Sequence, residues 1–287
     1  DRWTGPDPGW QEKGVVQLMS VHAQNRPVSI HDIQAFKDRG EKFAMLTAYD
    51  YSAAQILDEA GVPLLLVGDS LGMVVLGYDS TVQVTMEEML HHTKAVRRGA
   101  TRALVVGDMP FGSYHGSEDD AVANAVRFLK EAGANAVKLE GPRVDLTRRL
   151  VEAGIPVMGH LGLTPQAVNQ LGGFKVQGRE EAAAEKLVAD ALALQAAGAF
   201  CLVLEAVPSD LGARVTEALD IPTIGIGAGA DTDGQVLVFH DFLGLTSGRL
   251  PRFVKQYTTL RGEIVSAAKA FQAEVASSDY PGPEHQY

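Results

Sequence analysis

Cysteine is almost missing from this chain, and long apolar runs and clustered positive charge are missing as well. The 287 residues contain one cysteine, Cys201, which excludes an intrachain disulfide and a cysteine-rich metal site. Cys201 lies inside an apolar segment, where a thiol usually packs as a small hydrophobic group. We therefore expect a reducing, cytoplasmic location.

Positive charge is scarce, with 25 Lys and Arg against 36 Asp and Glu, a formal net charge of -11. A protein that binds nucleic acid or an anionic membrane needs clustered basic residues, whereas pairs such as Arg97 and Arg98 fall on predicted helices. No segment approaches the roughly 18 consecutive apolar residues of a membrane span, and the first residues do not form a secretion signal. We expect small-molecule partners, without nucleic acid or membrane.

Short apolar runs alternate with amphipathic helical patterns from Lys42 onward, which is typical of repeated βα units and a parallel sheet. Several of the helical segments open on Ser or Asp and close on Gly, as capped helices do. The sequence predicts eight strands, at residues 43–48, 63–67, 103–107, 136–139, 156–159, 200–204, 222–226 and 235–239.

Eight βα units in this length predict an α/β fold, a single-domain (β/α)8 TIM barrel. A doubly wound open sheet is the alternative, but its Gly-rich phosphate turn is absent after the first strand. We expect a flexible N-terminal leader at 1–29, the barrel at 30–278 and a tail at 279–287. A helix at 30–39 would cover the bottom of the barrel, and a helical extension at 252–277 would pack outside it.

Polar or charged side chains end strand after strand. They are Asp50, Asp69, Asp108, Lys138, Glu140, His160 and Glu205. The carboxyl ends of all strands of a barrel meet at one rim, where active sites of this fold lie. A lone charged residue at a strand end is usually a loop residue or a helix cap, but several at one rim indicate an active site.

Asp69 and Asp108 each follow a glycine at the ends of neighbouring strands, where two carboxylates would repel each other unless a cation lay between them. Oxygen ligands without cysteine favour Mg²⁺. Lys138 and Glu140 are two residues apart and share a strand face. Glu140, on the fourth strand, would bind the metal directly or through water.

Glu205 ends the sixth strand, and we expect it opposite the metal. Its Leu, Val and Ala neighbours would raise its pKa and suit it to act as a general base, although a salt bridge to a barrel lysine such as Lys138 is the alternative. A metal and a base together indicate enolisation of a 2-oxo acid, whose carboxylate and keto oxygens bind the metal.

Long segments of the chain resemble the ketopantoate hydroxymethyltransferase family. They are "MLTAYDYSAA", "LLLVGDSLGMVVLGYDSTVQVT", "VVGDMPFGSYH", "AVKLEG", "GHLGLTPQAVNQLGGFKVQGR", "LVLEAVPSDL" and "IPTIGIGAGADTDGQVLVFHD". The resemblance implies transfer of a one-carbon unit from 5,10-methylenetetrahydrofolate to 3-methyl-2-oxobutanoate, giving 2-dehydropantoate for pantothenate and coenzyme A biosynthesis. It also implies a homo-oligomer, commonly a decamer of stacked pentamers.

The same resemblance implies roles for individual residues. Asp69 and Asp108 would bind both Mg²⁺ and the oxo acid, and Glu140 would lie in the metal's shell. The remaining roles concern substrate: Ser70, Lys138 and His160 would contact the oxo acid, and Glu205 would accept its proton. The chain departs from the family's pattern at Gly107, where many relatives are expected to have Ala, and at Pro142.

Three other functions are the alternatives. A dehydrogenase would use the "GIGAGA" motif at 225–230, but that motif must open a helix, and the following residues predict a turn and a strand. A magnesium-dependent carbon-carbon lyase on a related barrel would need no folate. A noncatalytic barrel would leave the acids at the strand ends unexplained.

Overall fold

The computed structural model describes residues 26–173 and 175–287, so most of the expected leader, 1–25, lies outside the described residues. Within them, eight parallel strands pair in chain order and close into a barrel, which confirms the predicted (β/α)8 fold. The strands are β1 (Phe43–Thr47), β2 (Leu64–Val67), β3 (Leu104–Asp108), β4 (Ala136–Glu140), β5 (Val157–Gly162), β6 (Cys201–Glu205), β7 (Thr223–Ile226) and β8 (Gly234–Leu237).

Helices surround the barrel, and the first of them covers its N-terminal end. They are α1 (Ile30–Asp38), α2 (Tyr51–Glu59), α3 (Leu71–Val74), α4 (Met86–Gly99), α5 (Glu118–Lys130), α6 (Val144–Glu152), α7 (Val168–Leu171), α8 (Glu181–Ala196), α9 (Ser209–Ala218), α10 (Phe239–Phe242) and α11 (Leu260–Ser277). Among the described helices, none combines the length and apolar character needed to cross a bilayer.

The inside of the barrel is apolar at the N-terminal end of the strands and polar at the C-terminal end. Residues two apart on a strand share a face, so on β6 Cys201, Val203 and Glu205 all point inward, and the first two are buried in the inner core. Ile33 and Phe36 of α1 pack into that core and seal the N-terminal end. The predicted covering helix is therefore present.

The outer layer forms where one face of each helix packs on the outside of the strands. In α5, Ala121, Ala125 and Phe128 lie on the buried face, and burial of such side chains contributes about 1.5–3 kcal/mol for each large one. Asp50 accepts a hydrogen bond from the backbone N–H of Ala53 at 2.8 Å. This carboxylate caps α2, so Asp50 belongs to the helix and not to the group of acids described below.

The C-terminal helix begins at Leu260, eight residues later than the sequence predicts. Backbone N–H groups of Tyr257 and Leu260 donate to the carbonyls of Phe242 and Leu243. These contacts hold the preceding segment against α10 in an irregular conformation, because its backbone groups are bonded across the chain instead of along a helix. No residue of α11 is buried.

Candidate active site

The C-terminal ends of the strands enclose a cavity of about 120 Å³. All of the site residues that the sequence predicts line this one cavity: Asp69, Ser70, Asp108, Lys138, Glu140, His160 and Glu205. Strand register explains the convergence, because Asp108 pairs with Lys138 and Glu140 pairs with His160. Side chains at such paired positions on neighbouring parallel strands project to the same side.

Three buried carboxylates form an acid cluster at this end of the barrel. Asp69, Asp108 and Glu140 each offer an oxygen, and these oxygens lie within 4.8 Å of one another. Burial raises the pKa of Asp69 well above its usual range, and the nearby charges of Asp108 and Glu140 raise it further. Burial also raises the pKa of Glu140, against the opposing effect of Lys138. Crowded, desolvated carboxylates of this kind fit a hard divalent cation.

Lys138 supplies positive charge within the acid cluster. Its Nζ lies 2.8 Å from Asp108 Oδ1 and 3.6 Å from Glu140 Oε1. Burial alone would lower the pKa of Lys138, but Asp108, Glu140 and Asp69 reverse that effect and the pKa is raised. One ammonium against three carboxylates leaves negative charge in excess when all are ionised, so the cluster retains the capacity to bind a cation.

His160 is neutral, because burial and the neighbouring Lys138 lower its pKa to about 4. Its Nδ1 lies 3.2 Å from Lys138 Nζ, and since an ammonium can only donate, Nδ1 accepts and the ring proton is assigned to Nε2. Nε2 is 3.4 Å from Glu205 Oε2. It makes no hydrogen bond to any residue that the structure describes, so this N–H is available to a ligand.

Glu205 lines the same cavity as the acid cluster, at the end of β6. Only 17% of its side-chain surface is exposed, and this burial raises its pKa to about 7, although Lys138 opposes the rise. Within the described part of the chain, no Lys or Arg forms an ion pair with Glu205, because Lys138 faces Asp108 and Glu140 instead. The carboxyl group is therefore tuned to exchange a proton near neutral pH.

Sequence reasoning missed two side chains that hold the site in place. Tyr49 is buried, and its hydroxyl lies 2.8 Å from Ser70 Oγ. Gln166 is buried beside the acid cluster and donates from Nε2 to Asp69 Oδ2 at 2.9 Å. Neither residue ends a strand, and a tyrosine or amide in a loop carries no sequence pattern that distinguishes it from a surface residue.

Two of the larger cavities border carboxylates of the central one. A cavity of about 630 Å³ borders Glu205, and Lys175, Arg252 and Phe253 lie in its lining, as do glycines of the 225–230 motif. This motif leads from β7 through a turn into β8, so it opens no helix and does not form a dinucleotide site. A second cavity, of about 430 Å³, borders Glu140 and includes Arg143.

The fold and the site together define a TIM-barrel enzyme with an acidic, metal-competent centre at the C-terminal rim. A family model described as ketopantoate hydroxymethyltransferase matches residues 27–283. The chain belongs to the ketopantoate hydroxymethyltransferase family.

Curated relatives match over almost their whole length. The chain is 58% identical to 3-methyl-2-oxobutanoate hydroxymethyltransferase of Moorella thermoacetica over 267 residues, covering 92% of this chain and 99% of that protein. It is 55% identical to the protein of the same name from Syntrophus aciditrophicus, covering 94% and 100%.

Solved structures with a similar fold are much more distant in sequence. Phosphoenolpyruvate phosphomutase from Streptomyces platensis subsp. rosaceus superposes with a TM-score of 0.58 at 15% identity, covering 89% of this chain and 92% of that one. A 2,3-dimethylmalate lyase superposes with a TM-score of 0.56 at 16% identity, covering 89% and 90%. At these identities the similarity shows the fold alone.

Proposed function

We propose that this protein transfers a hydroxymethyl group from 5,10-methylenetetrahydrofolate to 3-methyl-2-oxobutanoate, giving 2-dehydropantoate for pantothenate and coenzyme A biosynthesis in the cytoplasm. One observation carries the proposal: a cluster of three carboxylates and a separate carboxyl group with a pKa near 7 line the same small cavity. At about 120 Å³, this cavity suits a small 2-oxo acid better than a drug-sized molecule, which needs roughly 300 Å³ or more.

Asp69, Asp108 and Glu140 would hold Mg²⁺, because their oxygens converge and hard oxygen ligands are the ones that Mg²⁺ takes. When bound, the metal would supply positive charge to the oxo acid and stabilise the negative charge that develops on its keto oxygen. The ammonium of Lys138 adds a fixed positive charge on the same side of the cavity.

Glu205 takes the proton from C3 of the oxo acid. Its raised pKa makes it a stronger base than an ordinary carboxylate while leaving it partly ionised near neutral pH. The N–H assigned to His160 Nε2 and the Ser70 hydroxyl are hydrogen-bond donors that orient the substrate. C3 forms a bond to the methylene carbon of the donor, and both C–N bonds of that carbon break. Water supplies the hydroxyl group, and its other proton and the proton taken by Glu205 go to the two nitrogens of the released tetrahydrofolate.

The folate donor takes the cavity of about 630 Å³. This cavity borders Glu205, which removes the proton from C3 of the oxo acid, so C3 reacts close to it. Exposed Lys175 and Arg252 lie in its lining and suit the carboxylates of a folate. The cavity of about 430 Å³ is the competing location, and it borders the acid cluster instead. We expect Arg252→Gln to raise the KM for folate several-fold. Arg143→Gln is the matched control, and a larger effect of that variant would move the donor to the other cavity.

The same proposal includes a homo-oligomer, with a decamer expected from the family. The observation that favours it is α11, whose Ile264, Val265, Phe271 and Val275 are exposed on a helix with no buried residue. Exposed apolar patches of this kind mark contact surfaces. Sedimentation velocity on wild type and on a Phe271→Ser, Val275→Ser variant tests this, and a monomeric wild type would contradict it.

Proton NMR of 3-methyl-2-oxobutanoate in D₂O tests the reaction directly. We expect metal-dependent loss of the C3 proton signal, and a hydroxymethyl product only after 5,10-methylenetetrahydrofolate is added. Glu205→Gln should abolish the exchange, whereas Glu217→Gln, at an exposed glutamate of α9, should leave it unchanged. Absence of exchange and product with every divalent metal tried would refute the proposal, and carbon-carbon cleavage without folate would favour a lyase.

A further inference from the structure

Gln166 connects two of the three carboxylates of the acid cluster, although it belongs to the loop after β5. Its Nε2 donates to Asp69 Oδ2 and to the carbonyl of Met109, each at 2.9 Å. Its own backbone N–H donates to Glu140 Oε2 at 3.0 Å. The residue is only 4% exposed. Gln166 therefore contacts Asp69 through its side chain and Glu140 through its backbone.

The orientation of the Gln166 amide is fixed by its partners. The carbonyl of Met109 can only accept, so the nitrogen and not the oxygen of the amide faces it. The amide oxygen, Oε1, accepts from the hydroxyl of Tyr114 at 2.5 Å. That hydroxyl in turn accepts from the backbone N–H of Glu140 at 3.2 Å. Each hydrogen bond in this series has only one possible donor, and the series runs from the Glu140 N–H through Tyr114 and Gln166 to Asp69.

These bonds divide the oxygens of the two carboxylates between the protein and the cavity. Asp69 Oδ2 and Glu140 Oε2 are held by Gln166. Asp69 Oδ1 and Glu140 Oε1 remain for other partners, and Glu140 Oε1 lies 3.6 Å from Lys138 Nζ. Without the amide, nothing in these contacts would stop Asp69 from rotating away from the negative charges beside it.

A neutral amide is chemically suited to this position. A second lysine would also hold the carboxylates together, but its charge would compete with a bound cation. Gln166 donates hydrogen bonds and adds no charge, so the excess negative charge of the cluster is kept. We propose that Gln166, supported by Tyr114, is a positioning residue that presents Asp69 and Glu140 to a divalent cation. This inference rests on the proposed role of the acid cluster as the metal site.

Binding of Mn²⁺, measured by electron paramagnetic resonance on the purified full chain, tests the inference without relying on turnover. Gln166→Met keeps the length of the side chain but removes the amide, and we expect it to weaken Mn²⁺ binding about 10- to 100-fold, as loss of a partner of metal ligands does. Gln170→Met, at an exposed position one turn later, is the matched control and should bind Mn²⁺ as wild type does.

Two further measurements distinguish the possible outcomes. At saturating metal, Gln166→Met should recover kcat to within a few-fold, because a positioning residue changes metal affinity more than chemistry. Tyr114→Phe removes only a hydroxyl and should weaken Mn²⁺ binding about 3- to 10-fold, which keeps the inference testable if Gln166→Met does not fold.

If folded Gln166→Met binds Mn²⁺ as tightly as wild type does, the positioning role is overturned, but the metal site is not. If Gln166→Met does not fold, the same result in Tyr114→Phe overturns the positioning role. Asp69→Asn would still lose affinity in that case. Failure of wild type itself to bind Mn²⁺ would instead overturn the metal site of the proposed function, and the inference with it.

Discussion

Replacing Glu205 with glutamine should stabilise the protein relative to wild type, and this gain in stability should be larger at alkaline pH than at acidic pH. The folded protein raises the pKa of Glu205 from 4.5 to about 7, mainly by burial. Between these two values the unfolded chain has lost the proton while the folded chain keeps it. Stability of wild type therefore falls as pH rises through this interval, since stability falls with pH wherever the folded state binds more protons.

The magnitude follows from the separation of the two pKa values. A pKa difference of one corresponds to about 1.36 kcal/mol, so the rise to about 7 costs about 3 kcal/mol once Glu205 is ionised in both states. Glutamine has no charge to desolvate and avoids this cost. The stability of Glu205→Gln minus that of wild type should therefore increase by about 3 kcal/mol between pH 4 and pH 8.5.

Urea unfolding of both proteins in EDTA, at one protein concentration across this pH range, measures the difference. Lys138, Asp108 and His160 are the titratable groups that act on or contact Glu205. All three are present in both proteins, so the part of their titration that does not depend on Glu205 cancels on subtraction. Glu217→Gln, at an exposed site, should show no such trend. A Glu205→Gln difference that does not change with pH would refute the reasoning and remove the physical basis for Glu205 as a tuned base.

Three further predictions concern the acid cluster and the packing around it. Asp69→Asn should raise the midpoint of thermal unfolding in EDTA, because one crowded carboxylate is removed, and should abolish the rise that Mg²⁺ produces; an unchanged Mg²⁺ effect would contradict its role as a ligand. Gly107→Ala places a Cβ 2.3 Å from the Phe128 ring and should lower the free energy of unfolding, measured in urea, by about 1–3 kcal/mol. Adding Phe128→Leu should restore part of this loss. A neutral effect of Gly107→Ala would show that the ring moves aside freely. Asp58→Ala removes the carboxylate that accepts hydrogen bonds from the backbone N–H groups of residues 101–103. It should lower the free energy of unfolding by about 3 kcal/mol without changing turnover of the folded protein. Reduced turnover would link this end of the barrel to the site.

The fold could be predicted closely because the two periodicities of strand and helix alternate without interruption. Each strand begins and ends within about three residues of its predicted position. The stretch before α11 could not be predicted, because its conformation depends on bonds to Phe242 and Leu243. Such long-range contacts leave no local pattern in the sequence.

The site also contains residues that the sequence predicts and residues that it does not. The convergence of Asp69, Asp108 and Glu205 in one cavity could be predicted because strand ends meet by the geometry of a barrel. Asp50 also ends a predicted strand, yet it caps α2, and only the position of its N–H partner distinguishes the two roles. Gln166 could not be found, since burial of a loop amide is decided by the folding of several loops around it.

The seal formed by Ile33 and Phe36 at the N-terminal end gives the barrel a single mouth. Everything that reaches Glu205 must pass the opposite rim and leave by the same way. Under the proposed arrangement, a folate donor bound in the cavity of about 630 Å³ would cover the side of the rim that Glu205 borders. We therefore expect an ordered reaction, in which the oxo acid binds before the donor and the product leaves after tetrahydrofolate.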